Sequence, residues 1–390
     1  MSMESIFLNN LADIVSGYAI PSKDMQEEGT PIIKITNIKE DGFLDLDNTA
    51  KYSKSISKKL EKYLLRDKDV LVCMTGATIG KIARKQIVNG DFLVNQRVAI
   101  IRAKKPKLQD FIYYALSLPS FRKYTEVVGY GAAQPNISSS SIGKYNFLSV
   151  SNERVQHRIA SILSTYDSLI ENNTKRIRLL EKMAENLYKE WFVRFRFPGH
   201  ENVEMENGLP KGWKRGSLSD VCEFKRGKNI TSSEMQEGNV PVISAGLEPS
   251  GYHSCSNVRG VNVTMSSSGA NAGYIAIHYS DIWAADCSYI EESTTGNIYY
   301  VYELLNNIRT VINNFQRGAA QPHVYSKDVN RIKLILPSKE LMLKANGRLE
   351  IMHKEIYNLQ KQNSLLARQR DLLLPRLMSG KLEVKEELLE

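Results

Sequence analysis

The chain has few cysteines and no long apolar run, and both absences narrow what it can be. Its 390 residues include four cysteines, which have neither the paired spacing nor the histidine neighbours of a zinc site. No apolar stretch reaches the roughly 20 residues that cross a bilayer, and no basic segment leads into an apolar one at the N-terminus. We expect a cytoplasmic protein with no membrane partner and with reduced, mostly buried thiols. The cysteines are Cys73, Cys222, Cys255 and Cys287.

Catalytic motifs are also missing. Gly76–Ile82 looks like a phosphate-binding loop, but three residues instead of four separate its glycines, and no serine or threonine follows Lys81. The sequence contains no Asn-Pro-Pro-aromatic motif of an amino-methyltransferase and no glycine-rich cofactor fingerprint. The six histidines show no ligand or triad spacing. We therefore expect a non-catalytic protein that holds no cofactor and no metal.

What is present is enough apolar sequence for two or three domains and a modest basic excess. Hydrophobic residues make up 42% of the chain, and 52 lysines and arginines face 43 acidic residues, giving a net charge of +9. This charge fits a polyanionic partner. Residues 1–151 carry 21 basic and 15 acidic side chains, whereas residues 197–340 carry 13 and 15. A single uniform basic face is therefore not expected.

The chain contains an internal duplication. Phe111–Val150 aligns without gaps with Ile298–Pro337, and both segments contain the run Gly-Ala-Ala-Gln-Pro, at Gly131–Pro135 and Gly318–Pro322. A five-residue identity inside a gapless frame, with weaker matches in the same order upstream, indicates two copies of one domain. Those upstream matches are Leu11–Ile14 with Leu218–Val221, Glu28–Ile33 with Glu237–Ile243, and Met74–Gly80 with Ser267–Gly273.

Each copy is followed by a long helical pattern. Apolar residues step by threes and fours from Val155 to Trp191, through Leu169, and again from Ala345 to Leu377, as in the seam of a coiled coil. Asn173 and Asn363 occupy matching seam positions, where a polar residue fixes register and partner. The breaker Phe197-Pro198-Gly199 and the proline Pro375 are predicted to end the two helices.

These patterns predict an α+β fold with pseudo-twofold symmetry. Two similar mixed α/β domains are separated by two long helices that pair in antiparallel fashion, since each helix begins where its own domain ends. The first seam would be roughly 54 Å long at 1.5 Å per residue. The predicted segments are domain 1 over 1–151, spacer helix 1 over 152–197, domain 2 over 198–340, spacer helix 2 over 341–380, and a tail over 381–390.

This organisation resembles the specificity subunit of type I restriction-modification systems, the HsdS family, over nearly the whole chain. Leu209–Trp213 followed by Leu218–Val221 is similar to the opening of a target-recognition domain, and Leu372–Gly380 is similar to the family's C-terminal helix ending. The first copy lacks the Pro-x-Gly-Trp opening before Leu11. The resemblance implies two domains that each read one half of a bipartite double-stranded DNA target. It also implies two methyltransferase subunits bound by the helices, and restriction-translocase subunits joined through them.

Candidate DNA contacts are polar residues set between apolar strands, or basic residues near the glycine-containing loops. Gln134 and Gln321 are identical in both copies, which favours a structural or phosphate-positioning role over base reading. In the first copy the candidates are Thr75, Lys81, Arg84, Lys85, Asn95, Gln96, Arg97, Gln134 and Asn136. In the second copy they are Lys225, Arg226, Lys228, Ser268, Asn271, Gln316, Arg317, Gln321 and His323.

Two other classes of protein fit parts of the pattern. A coiled-coil scaffold could space two identical protein-binding domains without any nucleic acid, and salt-dependent DNA binding distinguishes it from a DNA reader. A fused methyltransferase would bind S-adenosylmethionine, which we do not expect.

Overall fold

The computed structural model describes residues 3–39, 42, 44–46, 49–84, 90–130, 135–318 and 322–384. The chain divides into two compact units. Unit 1 consists of Met1–Glu171 and Ser364–Glu390, and unit 2 consists of Asn172–Asn363. Both units combine sheets with helices, as predicted for two mixed domains, and each includes part of both long helices.

The described part of unit 1 contains three small sheets and four short α-helices before the first long helix. Its sheets have the strand orders β2-β9-β6-β7, β3-β5-β4-β8 and β1-β10. The strands are β1 (Met3–Phe7), β2 (Ala12–Ser16), β3 (Met25–Gln26), β4 (Thr30–Ile33), β5 (Ala50–Tyr52), β6 (Val70–Cys73), β7 (Ile82–Arg84), β8 (Leu93–Val94), β9 (Val98–Ala103) and β10 (Asn146–Val150). The helices are α1 (Leu8–Leu11), α2 (Gln109–Leu116), α3 (Pro119–Gly129) and α4 (Ser139–Gly143), followed by the long α5 (Glu153–Tyr188).

Unit 2 repeats this arrangement. Its sheets have the strand orders β14-β20-β17-β18, β16-β15-β19, β13-β21 and β11-β12. The strands are β11 (Met205–Glu206), β12 (Leu209–Pro210), β13 (Lys214–Ser217), β14 (Lys225–Arg226), β15 (Val240–Ile243), β16 (Gly251–His253), β17 (Asn262–Ser266), β18 (Ile275–His278), β19 (Trp283–Ala284), β20 (Cys287–Glu291) and β21 (Lys333–Leu336). The helices are α6 (Glu292–Thr295), α7 (Ile298–Asn307), α8 (Arg309–Asn313), α9 (Ser326–Val329) and the long α10 (Lys339–Met378).

The apolar runs form the central strands because both faces of these strands are covered. Every residue of β6 is buried, as are the first four of β9, and such strands read as continuous apolar runs instead of alternating ones. Helix α2 packs Phe111 and Ile112 into the same core as Val70 and Val72. In unit 2, α7 packs Tyr300 and other residues against β17 in the same way. The helical pattern thus supplies one wall of each core.

One of the predicted matches between the two copies is displaced by three residues in the structure. Leu218 is fully buried and its N–H donates to the carbonyl of Ile332. The residue in unit 1 with the same burial and the same bond is Leu8, whose N–H donates to Tyr145. The prediction that Leu218 matches Leu11 was therefore wrong. Leu11 is only partly buried, and a leucine three residues away on the same short helix produced the false alignment.

The long helices do not end at their predicted breakers. Helix α5 ends at Tyr188 and is followed by one π-helical turn, Lys189–Val193. The helical segment therefore stops before Phe197. Helix α10 runs through Pro375 to Met378. A proline removes one backbone hydrogen bond and disfavours helix in the residue before it, but here the helix continues for three more residues. Among the described residues, no helix is both long and apolar enough to span a membrane.

Within each unit, segments of the two long helices run antiparallel. In unit 1, Asp167 contacts Arg370, and residues near Val155 share a core with Leu377. In unit 2, the Asn173 amide donates to Gln362 Oε1 over 3.3 Å and Arg176 contacts Glu355. Within each unit, later residues of α5 thus contact earlier residues of α10, so the two segments are antiparallel.

One predicted seam residue lies outside the buried stripe of these helices. Leu169 is 45% exposed, whereas Leu163, which the stepping pattern omitted, is fully buried. A regular helix has 3.6 residues per turn, so a stripe chosen by alternate steps of three and four residues can drift off the buried face. Asn173 does lie on that face, with 6% exposure. The Asn363 amide donates to Thr174 Oγ1 over 3.3 Å.

Candidate nucleic-acid interface

A glycine-containing turn after β6 meets the end of the Gly-Ala-Ala-Gln-Pro run in unit 1. The N–H of Gly76 donates to the carbonyl of Pro135 over 2.9 Å, and the N–H of Ile137 donates to Met74 over 2.9 Å. These bonds make Thr75 and Asn136 direct partners in a β-bridge. Gly76 has φ +72°, a left-handed conformation that favours glycine. The backbone therefore brings two polar side chains from distant parts of the sequence to one place.

Four of the predicted contact residues line a single cleft of about 410 Å³, which we call the first cleft. Gln96 and Arg97 are exposed, and within the described residues neither side chain makes a hydrogen bond or an ion pair. The Thr75 hydroxyl oxygen is buried and has no hydrogen-bond partner in the described structure. The exposed Gln96 and Arg97 side chains offer donors and acceptors to a ligand. The four residues are Thr75, Gln96, Arg97 and Asn136.

Asn95, the neighbour of Gln96, shapes this cleft from inside the protein. Its side chain is 7% exposed, and its Oδ1 accepts the N–H of Arg97 over 3.3 Å. Its carbonyl accepts the N–H of Val98, which closes the turn between β8 and β9. The structure therefore gives Asn95 a role in holding the turn, with little of its side chain open to a ligand.

The predicted basic group beside the glycine turn is not brought together at the first cleft. Arg84 is 16% exposed and makes ion pairs with Asp110 at 2.9 Å and Asp167 at 3.3 Å. Its guanidinium also lies 4.4 Å from the ring centroid of Tyr113. Because its charge is neutralised inside unit 1, we withdraw Arg84 as a DNA contact. Lys81 lines a different cavity with Gly80 and Arg122, while Lys85 and Gln134 lie outside the described residues.

Unit 2 builds the same backbone framework with other side chains. The N–H of Gly269 donates to Pro322 over 3.0 Å, and that of Val324 donates to Ser267 over 3.0 Å. Ser268 and His323 consequently pair in a β-bridge, as Thr75 and Asn136 do. The two strand ends are therefore structural equivalents, and the residues they present differ between the copies.

Several predicted residues of unit 2 hold this framework together. The Asn271 amide donates to the carbonyl of Ala245 over 3.4 Å, and the Gln316 amide donates to Ala272 over 2.8 Å. Arg317 pairs with Asp328 at 2.9 Å and exchanges both backbone hydrogen bonds with His323. Gln321 lies outside the described residues.

The remaining predicted cations of unit 2 lie on or just after the edge strand β14. Lys225 and Arg226 are opposite Tyr289 and Ser288 of β20, and their side chains are exposed. Lys228 is exposed as well, and its carbonyl accepts the indole N–H of Trp283 over 2.9 Å. Exposed cations along an edge strand suit contact with phosphates, which need charge without a fixed orientation.

Sequence reasoning missed Asp286. The Ser268 hydroxyl donates to Asp286 Oδ2 over 2.5 Å, so this carboxylate lies beside the bridge between Ser268 and His323. We call Ser268, Asp286 and His323 the second cluster. The signal was a single acidic residue between the apolar runs of β19 and β20, the same pattern that singled out Gln96 and Arg97. An acidic side chain does not fit the basic and amide residue types that are typical of DNA contacts.

The described residues offer no metal site, and the buried cysteines among them are poor nucleophiles. No group of three or more His, Cys, Asp or Glu residues in the described part of the chain could hold a metal ion. Three of the four cysteines are buried and none forms a disulfide. Burial raises the pKa of the Cys222 and Cys287 thiols to about 12, which keeps them protonated and unreactive. What both units present is the same backbone frame, which in unit 1 carries the exposed side chains of Gln96, Arg97 and Asn136.

Comparison with known proteins matches this frame to one family. The family model described as "Type I restriction modification DNA specificity domain" matches residues 2–182 and again residues 210–363. The chain is 25% identical over 344 residues to the type I restriction enzyme MjaIX specificity subunit of Methanocaldococcus jannaschii, covering 82% of this chain and 79% of that protein. It is 20% identical over 368 residues to the HindI specificity subunit of Haemophilus influenzae, covering 70% and 78%.

A solved structure has a similar fold. The S subunit of a type I restriction-modification system from M. genitalium superposes with a TM-score of 0.63 and 20% sequence identity, over 98% of this chain and 97% of that one. The two family matches together cover most of the sequence and fall on its two copies. The chain therefore belongs to the family of type I restriction-modification DNA specificity subunits.

Proposed function

We propose that each of the two domains reads one half of a bipartite double-stranded DNA sequence on behalf of partner enzymes. Membership of the family makes the chain a non-catalytic DNA target-recognition subunit. The observation that carries the bipartite reading is the repeated strand-end framework, in which identical backbone hydrogen bonds present Thr75 and Asn136 in one unit and Ser268 and His323 in the other. Direct readout requires a fixed backbone and variable side chains.

The proposed contacts divide into base readers and phosphate contacts. In unit 1, Gln96, Arg97, Thr75 and Asn136 would read base edges, because amide and guanidinium groups match purine edges in the major groove. In unit 2, Ser268 and His323 take the equivalent place, with Asn271, Gln316 and Arg317 supporting them. Cations would contact phosphates and set orientation. These are the exposed Lys225, Arg226 and Lys228 of unit 2 and Lys81 and Lys85 of unit 1, joined by Gln134 and Gln321 of the repeated run.

The two long helices would pair as an antiparallel coiled coil that fixes the spacing of the half-sites. The antiparallel contacts within each unit and the buried Asn173 support this pairing. We also propose that the helices bind two methyltransferase subunits, with restriction subunits attached through them, in the cytoplasm. Large apolar side chains on both helices are left exposed and could contact a partner. They are Leu179, Met183, Leu343, Ile351, Leu365 and Leu372.

The test is to express the chain with and without a family methyltransferase in a host that lacks other DNA methylases, and to sequence methylated bases genome-wide. We expect methylation only when both proteins are present, at one motif made of two specified parts around an unspecified spacer. The purified chain alone should neither methylate nor cut DNA and should not bind S-adenosylmethionine. Methylation at a single continuous motif, or by the chain alone, would contradict the proposal.

DNA binding by the assembled complex provides a second readout. Its affinity for a duplex that carries the motif should fall steeply with salt, since released counterions drive contacts to phosphates. A complex that assembles but shows no salt-dependent DNA binding would favour a scaffold for protein-binding domains instead.

A further inference from the structure

We propose that Asp286 is a specificity-determining residue that selects a base with an exocyclic amino group in the major groove, cytosine or adenine, on one strand at one position of the half-site read by unit 2. This inference rests on the proposed function. Its basis is that the two copies carry side chains of opposite charge on the same turn.

The equivalence of the two turns follows from their backbone anchors. In unit 1, the N–H groups of Gly17 and Tyr18 donate to the carbonyls of Val98 and Val94, at 2.9 and 2.8 Å. In unit 2, the N–H groups of Gly227 and Lys228 donate to Cys287 and Ala284, at 2.8 and 2.9 Å. Between these anchors lie Asn95-Gln96-Arg97 in unit 1 and Ala285-Asp286 in unit 2.

A close approach of the backbone in both units supports the equivalence of the two turns. A Cβ added to Gly17 would lie 2.3 Å from the carbonyl oxygen of Asn95, and one added to Gly227 would lie 2.4 Å from that of Ala285. In each copy a glycine lets the turn pack directly on the preceding strand end. The turn of unit 2 is one residue shorter and replaces an exposed arginine by an aspartate.

Asp286 lies beside the bridge between Ser268 and His323, which is the unit 2 equivalent of the bridge between Thr75 and Asn136. Its Oδ2 accepts the hydroxyl of Ser268, and Ser268 takes the place of Thr75, whose hydroxyl oxygen has no partner in the described structure. Asp286 Oδ1 makes no hydrogen bond among the described residues. Ser268 thus orients the carboxylate and leaves one oxygen available.

Charge determines what this oxygen can accept. An ionised carboxylate has only acceptors, and close to DNA it is repelled by phosphates, so its presence needs a donor to compensate. In the major groove, cytosine N4 and adenine N6 are donors, whereas guanine offers O6 and N7 and thymine offers O4. Asp286 would therefore favour cytosine or adenine and disfavour guanine and thymine. Arg97, a donor without acceptors, has the opposite preference in unit 1.

A structural role is the competing explanation, since Asp286 could serve only to hold Ser268. Asp286→Asn separates the two explanations because the amide oxygen still accepts the serine hydroxyl, while the amide nitrogen adds a donor. Glu237→Gln is the matched control, because Glu237 is an exposed acid of the same unit with no described partner.

The experiment sequences methylated sites produced by the wild-type complex and by both variants. For Asp286→Asn we expect one position of the second half-site to lose about five- to tenfold of its discrimination against guanine and thymine, because the new amide N–H₂ group can donate to guanine O6 or thymine O4. The first half-site and the Glu237→Gln motif should be unchanged. Arg97→Gln should relax one position of the first half-site only.

The outcomes separate this inference from the proposed function. If Asp286→Asn leaves both half-sites intact, Asp286 does not read bases, while the bipartite motif of the wild type still supports the proposed function. If the variant methylates nothing, binding of its assembled complex to duplexes with all four base pairs at each half-site position decides. Lost discrimination at one position supports the inference, and equal weakening on every duplex overturns it.

Discussion

The two units differ most where their globular parts meet the long helices. In unit 1, Asp167 of α5 accepts hydrogen bonds from Arg370 at 2.6 Å, from Arg84 at 3.3 Å and from the Tyr114 hydroxyl at 2.5 Å. Strand register and the helical repeat give the equivalent positions in unit 2. Tyr357 takes the place of Asp167, Leu180 that of Arg370, Ile277 that of Arg84 and Val301 that of Tyr114. A charged cluster in one copy is therefore replaced by aromatic and apolar residues in the other.

Unit 2 has its own polar cluster at a different point of this junction. His353 of α10 is 2% exposed, with Nε2 3.0 Å from Glu303 Oε1 and Nδ1 2.9 Å from the Tyr279 hydroxyl. The equivalents of His353 and Glu303 in unit 1 are the buried Leu163 and Leu116. The backbone of the domain is thus duplicated faithfully, whereas the polar contacts that join it to the helices are specific to each copy. A domain can be exchanged only if its junction contacts remain compatible with the helix.

The largest effect is expected from Asp167→Asn. It leaves two half-buried guanidinium groups without their shared carboxylate, and breaking a buried ion pair costs about 3 kcal/mol of unfolding free energy. Asp371→Asn is the matched control, because Asp371 also contacts Arg370 but is 62% exposed. We expect the control to cost under about 1 kcal/mol. Urea unfolding measures both, and equal losses would show that burial of the cluster has no energetic consequence.

In unit 2, replacing both His353 and Glu303 by leucine should cost less unfolding free energy than replacing His353 alone. His353→Leu leaves the Glu303 carboxylate buried without its partner, which we expect to cost about 2 kcal/mol. Adding Glu303→Leu recreates the leucine pair of unit 1 and should recover part of this loss. The measurement is a double-mutant cycle of unfolding free energies. Additive losses would mean that His353 and Glu303 do not act as a pair.

A pH dependence is expected in unit 2. Burial lowers the pKa of His278 from its ordinary 6.5 to about 4, so the folded state favours the neutral ring. Stability from this group is complete above pH 6.5 and is lost as the pH falls toward 4, by about 1 kcal/mol between pH 7 and 5.5. His278→Gln should lose less over this interval. His157→Asn, at an exposed position of α5, should behave as the wild type, and identical pH profiles for all three proteins would contradict the assignment.

The smallest effect concerns thiol reactivity. Cys255 of unit 2 is exposed, while Cys73, Cys222 and Cys287 are buried. A maleimide at neutral pH should label one thiol per folded chain rapidly, and Cys255→Ser should abolish this labelling without changing stability. Mass spectrometry counts the labels, and rapid labelling of Cys73 would show that the core of unit 1 opens readily.

The features that could be predicted from the sequence are those encoded by local residue patterns. The gapless match around the Gly-Ala-Ala-Gln-Pro runs predicted two mixed domains, and the burial of Asn173 and Leu377 agrees with the helical stripes. Leu8 and Leu11 could not be told apart, because both are leucines on one short helix and only burial distinguishes them. The error therefore lay in register, which depends on tertiary contacts.

Charged residues were harder to assign because their partners are far away in sequence. Arg84 belongs to a basic cluster with Lys81 and Lys85, yet its partner Asp167 lies 83 residues further on. Asp286 was missed for a related reason, since its role depends on its contact with Ser268 and on the equivalence of its turn in unit 2 to the turn of Arg97 in unit 1. In both cases the sequence supplied the residue type but not the neighbour that gives it a role.

The most direct test of the account replaces residues 1–150 with the equivalent domain of another family member that keeps arginine, aspartate and tyrosine at the positions of Arg84, Asp110 and Tyr114. Retaining these residues preserves the contacts to Asp167, so the hybrid should assemble with the methyltransferase. Sequencing of methylated bases should then show one half-site replaced, with the other half-site unchanged. A hybrid that methylates DNA but alters both half-sites, or neither, would contradict the claim that each domain reads its own half of the target.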